Sequence, residues 1–288
     1  MEEDVKAFLD YLSKEKKYSQ NTLAAYNSDL TQLVVFVKAK NTDGAISSWV
    51  RLSTDILTDY VLNLKERKYR SATIARKVAA VKAFLKFMAD RGKLRNDLSP
   101  GLVSPQVNKA APKSLSVSEV RRVIAEAAKR SSIEAKRDRA MLELLYATGL
   151  RASELMSLNE EDIDLKAKHV RCRARNSKAR VIPIDGQIAQ VIKEYRDNTR
   201  PMLLRDEKET AFFLNARGER LTRQGFWQIV RGYAAKAGLA VEVTPRKLRH
   251  SFAAHKLSSG ADLQSVQELL GHAHLSTTGV YRQVKPHS

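Results

Sequence analysis

The sequence predicts a mainly α-helical protein of two domains, the second of which also contains a small antiparallel sheet. Three observations lead to this fold class. Four amphipathic helical patterns occupy about residues 2–92, a proline-containing segment follows at 99–113, and strand-like segments appear only after it. A chain of 288 residues can form two cores, since most domains contain about 100 to 150 residues. We therefore expect one domain at 1–98, a linker at 99–113 and a second domain at 114–288.

Apolar residues recur at helical spacing in each of the four N-terminal segments. Val5, Phe8 and Leu12 show this pattern in the first segment. The second begins with Ser19-Gln-Asn-Thr22 and the third with Ser53-Thr-Asp55, both of which are N-capping sequences. The four segments together predict a compact all-α domain with helices at about 2–16, 21–40, 54–68 and 72–91.

The segment 99–113 separates the two domains. It contains Pro100, Pro105 and Pro112. Proline inside a helix removes a hydrogen bond and clashes with the preceding turn, so this stretch is predicted to be an extended linker.

The second domain combines helices with one hairpin. Ser116-Val-Ser-Glu119 is a capping box that begins the first helix, and Gly149 ends the second. Segments 168–173 and 179–184 are predicted strands on either side of the basic turn 174–178. The remaining predicted elements are helices at about 116–130, 134–146, 187–196, 222–237, 245–258, 263–270 and 276–284, a short helix after Leu150, and a short strand at 211–214.

The composition favours a polyanionic partner. The chain has 51 Lys and Arg residues against 32 Asp and Glu residues, a net charge of +19. No apolar run approaches the ~20 residues of a membrane span, and the acidic start Met1–Asp4 lacks the features of a signal peptide. The single cysteine, Cys172, excludes an internal disulfide and is predicted to fill an apolar strand position. We expect a cytoplasmic, nucleoid-associated protein with no membrane partner.

Basic residues are concentrated around the start of the fourth helix. An ordinary solvated helix face is one interpretation and phosphate binding is the other, and the high net charge favours phosphate. The candidate DNA-binding residues here are Arg70, Arg76, Lys77 and Lys82.

The C-terminal residues contain what is needed to cleave a phosphodiester without a metal ion. An oxygen nucleophile must attack phosphorus, cations must hold the non-bridging oxygens, and a proton must reach the leaving oxygen. Arginine suits the second role because its planar group binds phosphate at two points and stays charged. Taken singly, Tyr281 could be a core aromatic residue, His272 could cap a helix, and Arg151 could pair with Glu154.

The acidic run Glu160-Glu-Asp162-Ile-Asp164 offers a different chemistry, because clustered carboxylates can bind Mg²⁺. Adjacent carboxylates ahead of a strand are more often a solvated turn. We therefore predict no metal and no cofactor, and a magnesium-dependent nuclease is the less favoured reading.

Three motifs of the second domain contain the candidate phosphate-binding and nucleophilic residues: Thr148-Gly-Leu-Arg151-Ala-Ser-Glu-Leu155, Leu248-Arg249-His-Ser-Phe252, and Leu270-Gly-His272-Ala-His-Leu-Ser-Thr-Thr-Gly-Val-Tyr281. Together they resemble the tyrosine recombinases of the phage integrase family, most closely the bacterial Xer type. Thr222-Arg223-Gln-Gly-Phe-Trp227 and Ser19-Gln-Asn-Thr-Leu-Ala-Ala-Tyr26 extend the resemblance over essentially the whole chain.

The resemblance implies an N-terminal core-binding domain of SAM-like fold and a C-terminal α+β catalytic domain, which clamp duplex DNA from opposite sides. Tyr281 would attack the scissile phosphate and form a 3′-phosphotyrosyl link. Arg151 and Arg249 would hold the non-bridging oxygens, and His272 would assist at the phosphate. Arg223 is a further candidate DNA contact. The implied partners are duplex DNA with a specific site, other protomers in a homo- or hetero-tetramer, and a DNA translocase.

Two positions depart from the family pattern. The family usually has a histidine three residues before the second arginine, where this chain has Arg246, and a lysine in the hairpin turn, where it has Arg175. Arginine is a poor proton donor because its pKa lies above ~12. Lys178 in the same turn could supply the proton, or it could contact the DNA backbone or solvent, and both interpretations stay open.

The sequence thus predicts a site-specific recombinase that cuts and rejoins DNA, either to resolve chromosome dimers or to move a mobile element. A covalent intermediate conserves the bond energy, so no energy-supplying cofactor is expected. Two alternatives remain: a non-cleaving DNA-binding protein on the same scaffold, and an enzyme of the topoisomerase IB kind that nicks and reseals without synapsis.

Overall fold

A computed structural model describes residues 1–40, 49, 52–107, 114–173 and 179–271. The chain divides into two compact units, Met1–Lys109 and Ala110–Ser288, and the division falls inside the segment predicted to be a linker. The predicted fold class, mainly α with a small antiparallel sheet in the second unit, is confirmed. Among the helices of the described residues, none is long and apolar enough to cross a membrane.

Four helices form the described part of the first unit. The Ser19 and Ser53 side chains accept hydrogen bonds from the backbone N–H groups of Thr22 and Ile56, so both predicted N-caps are present. Aromatic residues from different helices meet in the core, where the ring of Phe8 contacts that of Phe84. The helices are α1 (Glu2–Lys14), α2 (Gln20–Ala39), α3 (Thr54–Glu66) and α4 (Ser71–Asp90).

The described part of the second unit contains eight α-helices and one 3-10 helix, Glu160–Asp162. The first begins with the predicted capping box, in which Ser116 and Glu119 satisfy each other's backbone N–H groups. The helices are α5 (Val117–Ala128), α6 (Ile133–Thr148), α7 (Ala152–Ser157), α8 (Gly186–Glu194), α9 (Arg200–Leu203), α10 (Arg223–Lys236), α11 (Pro245–Ser258) and α12 (Leu263–Leu270). A π-helical turn, Tyr195–Thr199, joins α8 to α9. The helix predicted at 276–284 lies outside the described residues.

Three antiparallel strands, β1 (Ile163–Asp164), β2 (His169–Cys172) and β3 (Arg180–Pro183), form the sheet in the order β1-β2-β3. Val170 faces Ile182 across β2 and β3, and both side chains are buried. Cys172 is also buried on β2, as its predicted apolar role requires.

The prediction of a short strand at 211–214 is wrong. Only isolated bridges form there, between Asn159 and Ala211 and between Leu214 and Arg220. The backbone of this segment bonds to two different partners, because Phe212 N–H donates to Leu158 while Phe213 accepts from Leu221. These hydrogen bonds hold the buried apolar loop 211–214 in place, but they do not add it to the sheet of β1, β2 and β3.

Candidate active site

The Glu154 side chain lies at the centre of three arginines. It belongs to α7, and only 5% of it is exposed. Its Oε1 atom accepts hydrogen bonds from Arg151 Nη1 (2.8 Å) and Arg180 Nη1 (2.9 Å), and its Oε2 atom accepts one from Arg180 Nη2 (2.9 Å). Arg249 Nη1 lies 3.6 Å from Oε2. One buried carboxylate therefore orders three guanidinium groups, and this arginine cluster keeps an excess of two positive charges.

The charges of the cluster are stable at neutral pH. Burial alone would raise the pKa of Glu154, but hydrogen bonds from Arg180 and from the Arg151 backbone, with the charges of both arginines, lower it to about 2. Burial alone would likewise lower the pKa of Arg180, but the Glu154 carboxylate raises it above the ordinary value. The cluster is thus a permanent cationic site.

The same three arginines bind the end of α12. They donate to three consecutive carbonyl oxygens: Arg180 Nε to Leu269 (2.7 Å), Arg249 Nη2 to Leu270 (2.6 Å) and Arg151 Nη2 to Gly271 (3.0 Å). Carbonyl groups at a helix C-terminus lack intrahelical partners and carry partial negative charge, so cations stabilise them. Gly271 precedes His272 in the sequence, so the cluster adjoins the start of the motif that contains His272 and Tyr281.

Two glycines in the left-handed conformation make these contacts possible. Gly149 ends α6 with φ 61°, and its carbonyl oxygen accepts a 2.6 Å hydrogen bond from Arg249 Nη1. Gly271 ends α12 with φ 62°. A Cβ atom at Gly149 would lie 2.3 Å from the Phe252 ring, and one at Gly271 would lie 2.9 Å from Arg180 Nη1. Both positions therefore require glycine for conformation and for space.

The three arginines differ in exposure. The Arg151 side chain is 39% exposed, whereas those of Arg180 and Arg249 are 10% and 7% exposed. Arg151 thus offers the most accessible positive charge of the cluster, and Arg249 supports the site from a buried position on α11.

Arg246 stands apart from the contacts of Glu154 among the described residues. It is exposed on the first turn of α11, and its Nε atom donates to His250 Nε2 at 3.2 Å. Burial and then the charges of Arg246 and Arg249 lower the pKa of His250 to about 4, so this imidazole is neutral at pH 7. Arg246 presents a cation at the surface three residues before Arg249.

Four of the predicted site residues, Arg175, Lys178, His272 and Tyr281, lie outside the described residues. Within the described ranges, the structure places the guanidinium groups of Arg151 and Arg249 on the same carboxylate, that of Glu154.

Sequence reasoning missed Arg180 as a member of the arginine cluster, and it missed the central position of Glu154. From the sequence, Glu154 is only an ordinary partner of Arg151, and Arg180 is not among the predicted site residues. The signal for Arg180 is the period of two along β3, which puts it on the same face as buried Ile182. An arginine at an inward strand position needs a buried acidic partner.

The predicted DNA-binding residues of the first unit have different surroundings. Lys77 is buried, and its Nζ atom donates to Asp29 Oδ1 at 2.9 Å. Asp29 is fully buried and also contacts Arg76 Nη1. This placement favours a structural role for Lys77 over the predicted phosphate contact, because its ammonium group is directed into the domain.

The other candidates present their side chains to solvent. Arg70 is exposed at the N-cap of α4, Lys82 is half-buried on the same helix, and Arg223 is exposed at the start of α10. Together with Arg76, which is exposed although its Nη1 atom contacts Asp29, these three remain the candidate phosphate contacts.

The acidic run before β1 binds arginines. Glu160 pairs with Arg200 (2.7 Å), and Glu161 and Asp162 both pair with Arg173 (3.1 and 2.9 Å). In the part of the chain that the structure describes, no group of three His, Cys, Asp or Glu side chains is arranged to hold a metal ion. The run binds Arg173, which directly follows β2.

The chain is similar to known proteins over both of its units. The phage integrase family model matches residues 113–287, and the model of the phage integrase N-terminal SAM-like domain matches residues 5–92. Tyrosine recombinase XerC of Roseiflexus sp. (strain RS-1) is 46% identical over 286 residues, which cover 99% of this chain and 90% of that protein. Tyrosine recombinase XerD of Oceanobacillus iheyensis is 38% identical over 285 residues, with 99% and 94% covered.

Two solved structures share the fold. A lambda integrase dimer bound to a COC′ core site superposes with a TM-score of 0.79 at 15% identity, covering 100% of this chain and 97% of that one. The XerH recombinase bound to its difH substrate superposes with a TM-score of 0.75 at 20% identity, covering 96% of this chain and 81% of that one.

The chain belongs to the phage integrase family, whose catalytic and SAM-like domains it contains. Within that family it is a Xer-type tyrosine recombinase, an enzyme of site-specific DNA recombination. The family resemblance drawn from the motifs is confirmed.

Proposed function

We propose that this enzyme cuts and rejoins duplex DNA through a 3′-phosphotyrosyl intermediate, with Tyr281 as the nucleophile. The observation that carries the proposal is the convergence of Arg151 and Arg249 on one buried carboxylate, Glu154. With Arg180, which binds the same carboxylate, the cluster has an excess of two positive charges. A phosphate under attack accumulates negative charge on its non-bridging oxygens, and prearranged guanidinium groups stabilise that charge most strongly.

The proposed reaction leaves the number of phosphodiester bonds unchanged. Tyr281 Oη attacks phosphorus and loses its proton, while the bond from phosphorus to the 5′-oxygen breaks and that oxygen gains a proton. His272 would assist at the phosphate, and Lys178 is the proposed donor to the leaving oxygen. A 5′-hydroxyl then attacks the phosphotyrosine, so that one phosphodiester bond replaces another. Neither step consumes ATP.

We propose that the substrate is duplex DNA with a specific site, bound by Arg70, Lys82 and Arg223 among others. Four protomers, identical or paralogous, would join two duplexes, and a DNA translocase would act with them. We propose the resolution of chromosome dimers in the cytoplasm, at the nucleoid, as the biological role. The 46% and 38% identity to XerC and XerD proteins supports this role over the movement of a mobile element.

Covalent capture tests the proposal. The protein is incubated with duplexes that it has selected from a random-sequence library, each nicked near the candidate cleavage position so that the cut strand dissociates. We expect an adduct that survives a denaturing gel and disappears with Tyr281→Phe. Tyr18→Phe, which changes an exposed tyrosine of the first unit, should leave the adduct unchanged.

Two outcomes would replace the proposal. Tight binding without any adduct would identify a non-cleaving DNA-binding protein. Relaxation of a supercoiled plasmid that lacks the selected site would identify a nicking and resealing enzyme. Affinity should also fall steeply between about 50 and 200 mM salt, because several phosphate contacts release counterions.

A further inference from the structure

We propose that Arg180, on β3, is a positioning residue for strand cleavage. It fixes the Glu154 carboxylate and thereby holds Arg151 and Arg249 in the geometry that receives the scissile phosphate. The inference rests on the proposed function, because it assigns to Arg180 a role in the same chemical step.

The donors of Arg180 are directed at the protein. A guanidinium group has five N–H donors. Four of them have partners: Nε binds Leu269 O (2.7 Å), Nη1 binds Glu154 Oε1 (2.9 Å) and Cys172 Sγ (3.2 Å), and Nη2 binds Glu154 Oε2 (2.9 Å). With 10% of its side chain exposed, Arg180 acts on the phosphate through other residues.

The bidentate pair between Arg180 and Glu154 helps to fix the plane of the carboxylate. The terminal torsion of a glutamate is soft, so the carboxylate can rotate unless both oxygens are held. Arg180 holds both oxygens at 2.9 Å, and the Arg151 backbone N–H donates a 2.7 Å hydrogen bond to Oε2. The same two oxygens face Arg151 Nη1 and Arg249 Nη1, so the directions of these two guanidinium groups depend on the plane that Arg180 helps to set.

Arg180 also joins the ends of three segments that lead to proposed catalytic residues. On β3 it is opposite Cys172 of β2, and the sequence between these two strands contains Arg175 and Lys178. Its Nε atom binds the end of α12, two residues before Gly271, where a Cβ atom would collide with the guanidinium group. A single side chain thus connects the hairpin, α7 and α12.

A substrate that needs less positive charge can show whether Arg180 positions Arg151 and Arg249 or only stabilises the fold. Replacing one non-bridging oxygen with a methyl group gives a neutral methylphosphonate, which depends less on the two phosphate-holding arginines. We expect Arg180→Met to form the adduct about 10²-fold more slowly on the phosphodiester, since a misplacement of about 1 Å costs that much. The deficit relative to wild type should shrink to within about tenfold on the methylphosphonate.

Two further variants complete the experiment. Arg180→Lys keeps the charge but not the bidentate pair, so it should also be slow on the phosphodiester and recover on the methylphosphonate. If Arg180→Met does not fold, this variant decides the question. Arg171→Met removes an equal charge from the exposed side of β2 and should not alter the ratio of the two rates.

The outcomes are distinct. Wild-type rates in both Arg180 variants, or equal losses on the two substrates in folded protein, would overturn the positioning role while leaving the proposed function intact. Absence of an adduct from the wild-type protein itself would overturn the proposed function, and the role of Arg180 with it.

Discussion

Arg249 on α11 and Gly149 at the end of α6 are joined by a 2.6 Å hydrogen bond, which the arginine Nη1 donates to the glycine carbonyl oxygen. Gly149 has the left-handed φ of 61°, and the absence of a Cβ atom there lets the Phe252 ring pack against the backbone. The residue that ends one helix therefore helps to hold the buried arginine of another.

Gly149→Ala should destabilise the second unit by about 1 to 3 kcal/mol, because it adds backbone strain and a collision with Phe252. Gly232→Ala is the matched control. Gly232 lies inside α10, and a Cβ atom there would meet nothing within 4 Å, so alanine should stabilise by about 0.5 to 1 kcal/mol. Urea unfolding followed by Trp227 fluorescence, in a Trp49→Phe background, reports on this unit. Equal effects of the two substitutions would contradict the explanation.

The sequence predicted the elements whose signals are local. The bounds of α11 and α12 follow from apolar spacing and N-capping residues, and the structure has them at Pro245–Ser258 and Leu263–Leu270 as predicted. The capping box at Ser116 depends on two residues three apart and is equally visible. The two-residue strand β1 was missed because it is too short to show alternation, and it exists only through its pairing with β2.

The candidate site was predicted in part for the same reason. Arg151 and Arg249 occur in short motifs, and these motifs are recognisable in the sequence when they are taken together. Arg180 acts through Glu154, which is 26 residues away, and the Arg249 bond to Gly149 spans 100 residues. Contacts between distant residues leave no periodic signal in a single sequence, so the arginine cluster had to be found in the structure.

The lowered pKa of Glu154 predicts a loss of stability in acid. A carboxyl group whose pKa falls from 4.5 to about 2 on folding stabilises the fold above pH 4.5, and this contribution disappears as the pH falls toward 2. The shift corresponds to about 3 kcal/mol. Between about pH 5 and pH 2.5, the unfolding free energy of the wild type should therefore fall by about 2 kcal/mol more than that of Glu154→Gln, and the rest of the contribution is lost below pH 2.5.

Glu154→Gln should also be less stable at pH 7, by about 3 to 5 kcal/mol, because it leaves buried arginines without their carboxylate. The measurement is urea unfolding of both proteins across the pH range, again with Trp227 as the reporter. An identical pH dependence in the two proteins would show that another group is responsible.

Lys77 and Lys82 lie on the same helix and should respond differently to replacement by methionine. Lys77→Met removes one of the two cations on fully buried Asp29 and should destabilise the first unit by about 3 kcal/mol. Lys82→Met should leave stability nearly unchanged and reduce the salt dependence of DNA binding by about one unit of slope, if Lys82 contacts a phosphate.

Unfolding followed by Trp49 in a Trp227→Phe background, together with affinity measured from about 50 to 200 mM salt, compares the two lysines. A Lys77→Met protein of normal stability with a reduced salt slope would restore the phosphate contact that the sequence predicted for Lys77.

The proton donor to the leaving oxygen can be identified with a substrate that needs none. A duplex with sulfur in place of the 5′-bridging oxygen releases a thiol, whose pKa of about 8.5 lets it leave as the anion. The Lys178→Ala variant should therefore cleave ordinary DNA about 10²-fold more slowly than the wild type. It should cleave the sulfur substrate at nearly the wild-type rate. Arg175→Ala is the control within the same turn and should slow both substrates, because arginine holds phosphate but does not release its proton. Equal losses of Lys178→Ala on both substrates would assign Lys178 to a backbone contact, and recovery of Arg175→Ala alone would make the arginine the donor.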